Sequence, residues 1–386
     1  MTLSRAWWVP VAGALLAPLV TWLPMLAHQY PGLGLPIYAP PIGIDLWQSQ
    51  VFWAVAFAAV GAALWVRDRW LGVLLWLLAG NLLIRGSLFD GSHFAVVLFG
   101  VLALVALRQT PRVWHGRLRL ILAVSGMVQV AYMLQQAVLH YDLLWGPVVG
   151  GVLVAKVQPL GTLGTVDAAS AYVAITAPLM PLWALPFGVW AIWEGRSLTA
   201  IAAFGVGLLA RWLMQEDRPR VRAVGLAAAL LTLGGAVIAV GLWKHAVSPT
   251  IPGWGTVTGR LTIWAFALSD WWTQGLFHGF GLSSWSLRIP MLQQQTGVLP
   301  NGELWAQAHS EPIQVAYETG VLGMAVLGAW LRDHWRAWQS PAWGPALGAL
   351  AVSTLGFFTF HVVSTALLGL VLFGLASAQT AEAHGG

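Results

Sequence analysis

Residues 168–193 read AASAYVAITAPLMPLWALPFGVWAIW, an uncharged apolar stretch interrupted by Pro178, Pro181 and Pro186. A proline inside a helix removes a hydrogen bond and clashes with the turn before it. The stretch is therefore one long broken helix or two short ones, and the choice sets the topology of everything after it. The positive-inside bias arbitrates. Counted as two crossings, with the N-terminus inside, it leaves 13 of the 19 cations inside and 6 outside. Counted as one, it sends the arginine-rich segment 211–222 outside while the N-terminal loops stay where they were. Two crossings fit better.

The rest of the chain agrees with a membrane reading. Of 386 residues, 58% are apolar and only 9% charged, against roughly 25% charged in a soluble domain. So few polar residues cannot coat a soluble protein of this size, which excludes soluble, disordered and collagen-like classes. Its 43 Gly and 21 Pro would interrupt a coiled coil, and the absence of cysteine removes disulfides, thiolate nucleophiles and Cys-ligated zinc. Further apolar runs lie at about 8–27, 51–66, 70–84, 94–107, 120–139, 198–212, 223–243, 316–331, 342–357 and 359–377. With the pair in 168–193 they predict an all-α polytopic protein of about twelve transmembrane helices, a single integral membrane domain over 1–386 with both termini cytoplasmic. The first run is long and preceded only by Arg5, so it reads as a span rather than a cleaved signal. In this arrangement the acids divide nine outside to five inside. The net charge of +5 is then a topology signal, and no basic stripe interleaved with stacking aromatics argues for nucleic acid.

One connection is too long to be a simple link. Residues 244–315 form an extracytoplasmic loop of about 70 residues, and loops of that length usually carry function. Within it, 260–272 has helical periodicity, and Leu261, Trp264, Leu268 and Trp271 on one face predict a helix lying at headgroup depth. The loop also holds two of the few outer cations, Arg260 and Arg288, with His278 and His309. A third outer arginine, Arg196, stands in Glu194–Gly195–Arg196–Ser197 between two spans. An arginine near an apolar boundary is costly unless it faces protein or ligand, and planar guanidinium groups match phosphate through bidentate hydrogen bonds. Arginines from separate outer loops thus suggest a lipid-linked diphosphate. Bland readings compete: Arg196 as a snorkelling anchor, Arg260 at a helix start paired with Asp270 or Glu303, and His309 as a structural or solvated residue.

Other chemistries fit less well. No H-E-x-x-H string occurs, and His309-x-Glu311 offers only two metal ligands, so no metal or cofactor is expected. Ser283 and Ser284 after a glycine read as turn chemistry rather than a protease nucleophile. A phosphate-cradling P-loop is absent, and the first outer loop, 28–50, holds Asp45 alone where a metal-dependent glycosyltransferase would carry paired carboxylates. A transporter of a lipid-glycan or polyol is the rival of another class. It predicts broken helices, which 168–193 supplies, and mid-span charges, of which His361 is the main candidate.

Four strings together resemble the O-antigen ligase/polymerase superfamily, membrane glycosyltransferases of the GT-C type. They are Leu160–Gly161–Thr162–Leu163–Gly164–Thr165 before a span, and Gly195–Arg196–Ser197 where the family has Ser-Arg-Gly. The third is Thr258–Gly259–Arg260–Leu261–Thr262–Ile263–Trp264 followed by Gly279–Phe280–Gly281, similar to Arg-x-x-x-Trp … Gly-x-Gly. The fourth is Ala308–His309–Ser310 followed by Glu318–Thr319–Gly320–Val321–Leu322–Gly323, similar to Ala-His-Asn … Glu-x-Gly-x-x-Gly, with Ser310 in place of the family's Asn. Val166–Asp167–Ala168 departs from the Asn-Pro-Asn-like element usual after the first string. The resemblance spans roughly 160–330.

It implies a metal-independent, inverting transfer of a glycan from an undecaprenyl-diphosphate carrier to a glycolipid, glycan or protein acceptor at the periplasmic face of a bacterial inner membrane. A repeat-unit polymerase of the same chemistry is the close alternative. Arg196 and Arg260 would hold the diphosphate and His309 would act as base. Arg288, Glu311 and Trp264 would contact substrate, with Glu311 placed to hold the His309 tautomer and Glu318 making a structural hydrogen bond. Membrane lipids are the remaining expected partners.

Overall fold

The computed structural model describes residues 54–85 except 55, 63, 66 and 67, then 100–139, 161–215 except 164 and 165, 253–357 except 282, 283 and 303, and 363–385. The expected spans 8–27 and 223–243, and His361, lie outside these residues. Ten principal helices run in order: α1 (Arg69–Arg85), α2 (His115–Leu139), α3 (Val166–Thr176), α4 (Leu185–Gly195), α5 (Leu198–Gln215), α6 (Gly253–Asp270), α7 (Ser284–Thr296), α8 (Glu311–Asp333), α9 (Gly344–Gly356) and α10 (Val363–Gly385). No strand occurs among the described residues, so they are all-α. Of these helices, α2 and α5 are long and apolar enough to cross a membrane. The described residues divide into two compact units, one from Gly100–Val240 and Arg336–Gly386, the other from Tyr38–Phe99 and Gly241–Trp335.

In the first unit the proline-rich stretch is two helices. After α3 and a 3-10 turn at Ala177–Leu179, Met180 and Pro181 are extended (ψ 155° and 151°), and a second 3-10 turn leads into α4. The arms are antiparallel: a methyl group at Gly195 would strike Ser170 and Val166, and one at Gly188 would touch Val173. The chain therefore doubles back on itself within this unit. Val166–Leu179, at 1.5 Å per residue, reaches only about 20 Å, short of a hydrocarbon core roughly 30 Å thick. At the break, Arg211 of α5 donates to the Met180 carbonyl at 2.7 Å. That bond meets the rule that backbone freed by a helix break in apolar surroundings needs another partner. Small residues let α5 lie close to its neighbours, since a methyl at Gly207 would meet Pro178 and Ala349. Leu182, Trp183, Phe187, Val189, Trp190 and Trp193 of the hairpin are exposed, an apolar surface suited to lipid.

In the second unit, α8 is broken. Gly320 has φ 69° and ψ −171° in mid-helix. The amides of Val321 and Leu322, which an intact helix would bond to Tyr317 and Glu318, donate instead to Leu276 (2.8 Å) and Phe277 (3.1 Å). The freed carbonyls of Tyr317 and Glu318 accept from Phe280 and Gly281, both at 3.0 Å. Gly279 (φ 67°) faces Gly320 across this exchange, and a methyl on either would run into the other segment's backbone. The Gly-x-Gly and Glu-x-Gly strings, about 40 residues apart in sequence, thus interlock. At its far end α8 is tied to α1: Trp330 donates to Asp68 (3.1 Å), whose other oxygen accepts from the Leu71 amide (3.1 Å), and Trp70 donates to Asp333 (2.6 Å).

The expected interfacial face of 260–272 is corrected. Trp264 and Trp271 pack inward on a core of Ile263, Ala267, Trp285, Ile289, Trp305, Ala308 and Tyr317, whereas Leu261 (55% exposed) and Trp272 (68%) face outward. Tryptophans and aliphatic residues together supply this core. The helix also begins at Gly253, so Arg260 lies about two turns inside it and not at its start.

Replacing Gly320 or Gly279 by Ala is expected to cost roughly 3 kcal/mol, from the left-handed backbone plus the clash. Gly297→Ala, at φ 74° with nothing within 4 Å, should cost only about 1 kcal/mol. Thermal unfolding in detergent checks the difference; equal losses would mean the interlock contributes nothing.

Candidate active site

The candidate base stands on a constrained loop. His309 (φ 51°) and Arg196 (φ 53°) are the only non-glycine residues with left-handed backbone among those described. Such a conformation costs about 1–2 kcal/mol for an L-residue and persists where surrounding structure over-determines it, often at functional sites. Around His309 that structure is visible. Ala308, fully buried, has its amide bonded to Gln314 Oε1 (3.3 Å) and its carbonyl to Trp264 Nε1 (2.6 Å). On the other side Ser310, extended at φ −159°, is the N-cap of α8, with Pro312 in the first turn. Its side chain makes no capping hydrogen bond; the helix opens through its carbonyl, which accepts from the Gln314 amide at 3.0 Å. Trp305 sets its ring edge against the His309 imidazole, with centroids 5.3 Å apart. Trp305 is itself held through its amide by Gln293 (2.8 Å) and through its carbonyl by Trp285 (3.2 Å).

Arg260 and Trp264 lie one turn apart on α6, on the same face. The bond from Trp264 to Ala308 therefore draws the helix carrying Arg260 against the loop carrying His309. Glu311 is buried in the first turn of α8, where a carboxylate suits the helix dipole.

Arg288 is engaged by protein groups. Its Nε and Nη2 donate to the two Asp270 oxygens, both at 2.8 Å, and Nη2 also reaches Gln274 (2.9 Å). Its guanidinium lies over the Phe280 ring at 4.1 Å, and Tyr317 donates to Asp270 at 2.7 Å. Burial disfavours charge on Asp270, yet the Arg288 and Tyr317 hydrogen bonds and the Arg288 charge outweigh it and hold its carboxyl below the ordinary range. Its hydrogen bond to Asp270 keeps Arg288 above its usual value against the cost of burial. Arg288 is thus a bolt between α6 and α7, joined to α8 through Tyr317. Sequence reasoning offered Asp270 to Arg260 instead; the spacing 270–288 has no local periodicity that would have revealed the pair.

Arg196 belongs to the other unit. It is the left-handed C-cap of α4, its amide bonded to the Trp193 carbonyl at 3.0 Å. The described part of the first string, Gly161–Leu163, is held by α2: Gln136 accepts from the Gly161 amide (2.8 Å), and Gln129 accepts from the Thr162 hydroxyl (2.7 Å). Both glutamines are buried on α2, on the face of Met133, whose methyl lies beside Gly195. They were missed because a lone glutamine in an apolar run carries no signal by itself, although the seven-residue spacing placed them on one helix face. No protein-family model matches the chain, and no characterised protein matches it either.

Two outcomes are expected. Arg196→Gly should keep or raise the unfolding temperature, relieving about 1 kcal/mol of strain, while removing activity; a large loss of stability would make Arg196 structural. Asp270 has a folded pKa below its unfolded value, so its contribution is full above about pH 4 and is lost as pH falls through the folded pKa. Asp270→Asn should therefore cost about 2 kcal/mol at neutral pH and flatten the acid limb of stability. An acid limb identical to wild type would show that Asp270 does not set it.

Proposed function

We propose that this chain is a metal-independent membrane glycosyltransferase of the O-antigen ligase type, which moves a glycan from an undecaprenyl-diphosphate carrier to an acceptor hydroxyl. The observation that carries the reading is the left-handed backbone of Arg196 and His309, two of the three residues to which the resemblance gives catalytic roles. The third, Arg260, shares a helix face with the tryptophan that holds the His309 loop.

In this reading His309 takes the proton of the acceptor hydroxyl, the role of general base to which a neutral imidazole is suited. The acceptor oxygen bonds to the anomeric carbon as the carbon–oxygen bond to diphosphate breaks, inverting that centre. Charge gathers on the departing diphosphate, and Arg260 stabilises it as a fixed cation that needs no reorganisation. The resemblance assigns the same anion chemistry to Arg196. The chain is read as crossing a bacterial inner membrane about twelve times, with 166–195 as a returning hairpin, both termini cytoplasmic and 244–315 periplasmic.

The test is turnover by purified protein given carrier-linked glycan and acceptor. Arg260→Ala and His309→Ala should each lower it about 10²–10³-fold without loss of fold, and EDTA should leave it unchanged. Wild-type turnover in either variant removes that residue from the mechanism. The broken helix at Met180–Pro181 favours a second reading, a lipid-glycan transporter; flux into liposomes with no glycosidic bond made would select it.

A further inference from the structure

We infer that Gln314 and Glu318 are positioning residues for His309, with Trp264 as their counterpart on the opposite side of the loop. This rests on the reading of His309 as the base. Gln314 is 1% exposed and Glu318 5%, and they lie one turn apart on α8. The Gln314 amide nitrogen donates to Glu318 Oε1 at 3.1 Å. A carboxylate accepts and does not donate, so it fixes which end of the amide faces it. The Gln314 oxygen is thereby turned to the Ala308 amide, at 3.3 Å. Glu318 is itself anchored, because its carbonyl accepts from Gly281 at 3.0 Å in the exchange at the α8 break.

The relay runs from the interlocked glycines, through Glu318 and Gln314, to Ala308, the residue that precedes His309. Trp264 holds the other side of that residue by donating to the Ala308 carbonyl at 2.6 Å. Both polar groups of Ala308 are thus held by side chains from two helices, and its neighbour carries the strained backbone. This moves Trp264 from the substrate-contacting role expected of it to a positioning one. The competing account is an ordinary pair four residues apart that merely supports its helix.

The two accounts differ in what they do to His309. Glu318→Gln keeps shape but frees the Gln314 amide to turn, and Trp264→Phe removes the donor together with part of the indole's packing on the core. Each should lower kcat about tenfold, the cost of a small misplacement of a reacting group, with the donor KM unchanged, and Glu318→Asp should recover part of the loss. In the His309→Ala background neither change should lower turnover further, because both act through the missing imidazole. An additional loss there would make the role merely structural and overturn the inference.

A readout independent of activity is the rate at which diethylpyrocarbonate modifies His309 in the full-length protein, read by peptide mass spectrometry with His278 as internal reference. It should rise several-fold in both variants, and an unchanged rate overturns the inference even if one variant folds poorly. If wild-type protein forms no glycosidic bond while the labelling change is present, the functional reading fails and the positioning stands.

Discussion

The exchange of backbone hydrogen bonds at Gly320 is the constraint on which the second unit depends. A helix that simply continued through residue 320 would satisfy its own amides and carbonyls and leave 276–281 with nothing to hold. By breaking, α8 gives up two internal bonds and makes four to that turn. The break is possible only where both sides lack a side chain and both backbones turn left-handed, at Gly279 and Gly320. The turn so fixed places Phe280 against Tyr317, with ring centroids 4.7 Å apart, and Tyr317 against Trp285 at 5.2 Å. Around these rings the Asp270–Arg288 pair and the tryptophan core assemble, and the His309 loop is built on that core.

The first unit solves the same problem by another device. Its hairpin also interrupts a helix in apolar surroundings, at Met180–Pro181, but the freed carbonyl is met by a side chain, Arg211. The turn at its mouth is met by Gln129 and Gln136. In a medium without water each exposed backbone group costs several kcal/mol, so an irregular backbone there requires a named partner. In the first unit the turn at the mouth is at the Arg196 end of the hairpin and the Met180–Pro181 break at the opposite end; in the second the break in α8 supports the His309 loop.

Much of this follows from residues that can be read directly. The prolines at 178, 181 and 186 announced a break, and the structure shows it as an antiparallel pair of short helices. The glycine strings announced backbone constraint, though not that they constrain each other; pairing across about 40 residues leaves no periodic trace. The orientation of α6 was misjudged for a physical reason. Apolar residues at 261, 264, 268 and 271 overlap a second stripe through 263, 264, 267 and 271, and periodicity alone cannot say which one faces the core. The polar relay was only half visible: Glu318 was expected to make a structural hydrogen bond, but its partner Gln314 carries no signal until its burial shows. Arg288 looked like a free outer cation because its partner arrives from a different helix.

The central claim is that these constrained loops serve transfer of a glycan from a lipid diphosphate. Mass spectrometry of glycolipids from cells with and without this chain tests it most directly. The account predicts carrier-linked glycan accumulating in its absence, at full length for a ligase or as a capped single repeat for a polymerase, and disappearing when the chain is restored. Carrier-linked and acceptor-linked glycans that are identical with and without the chain would contradict it.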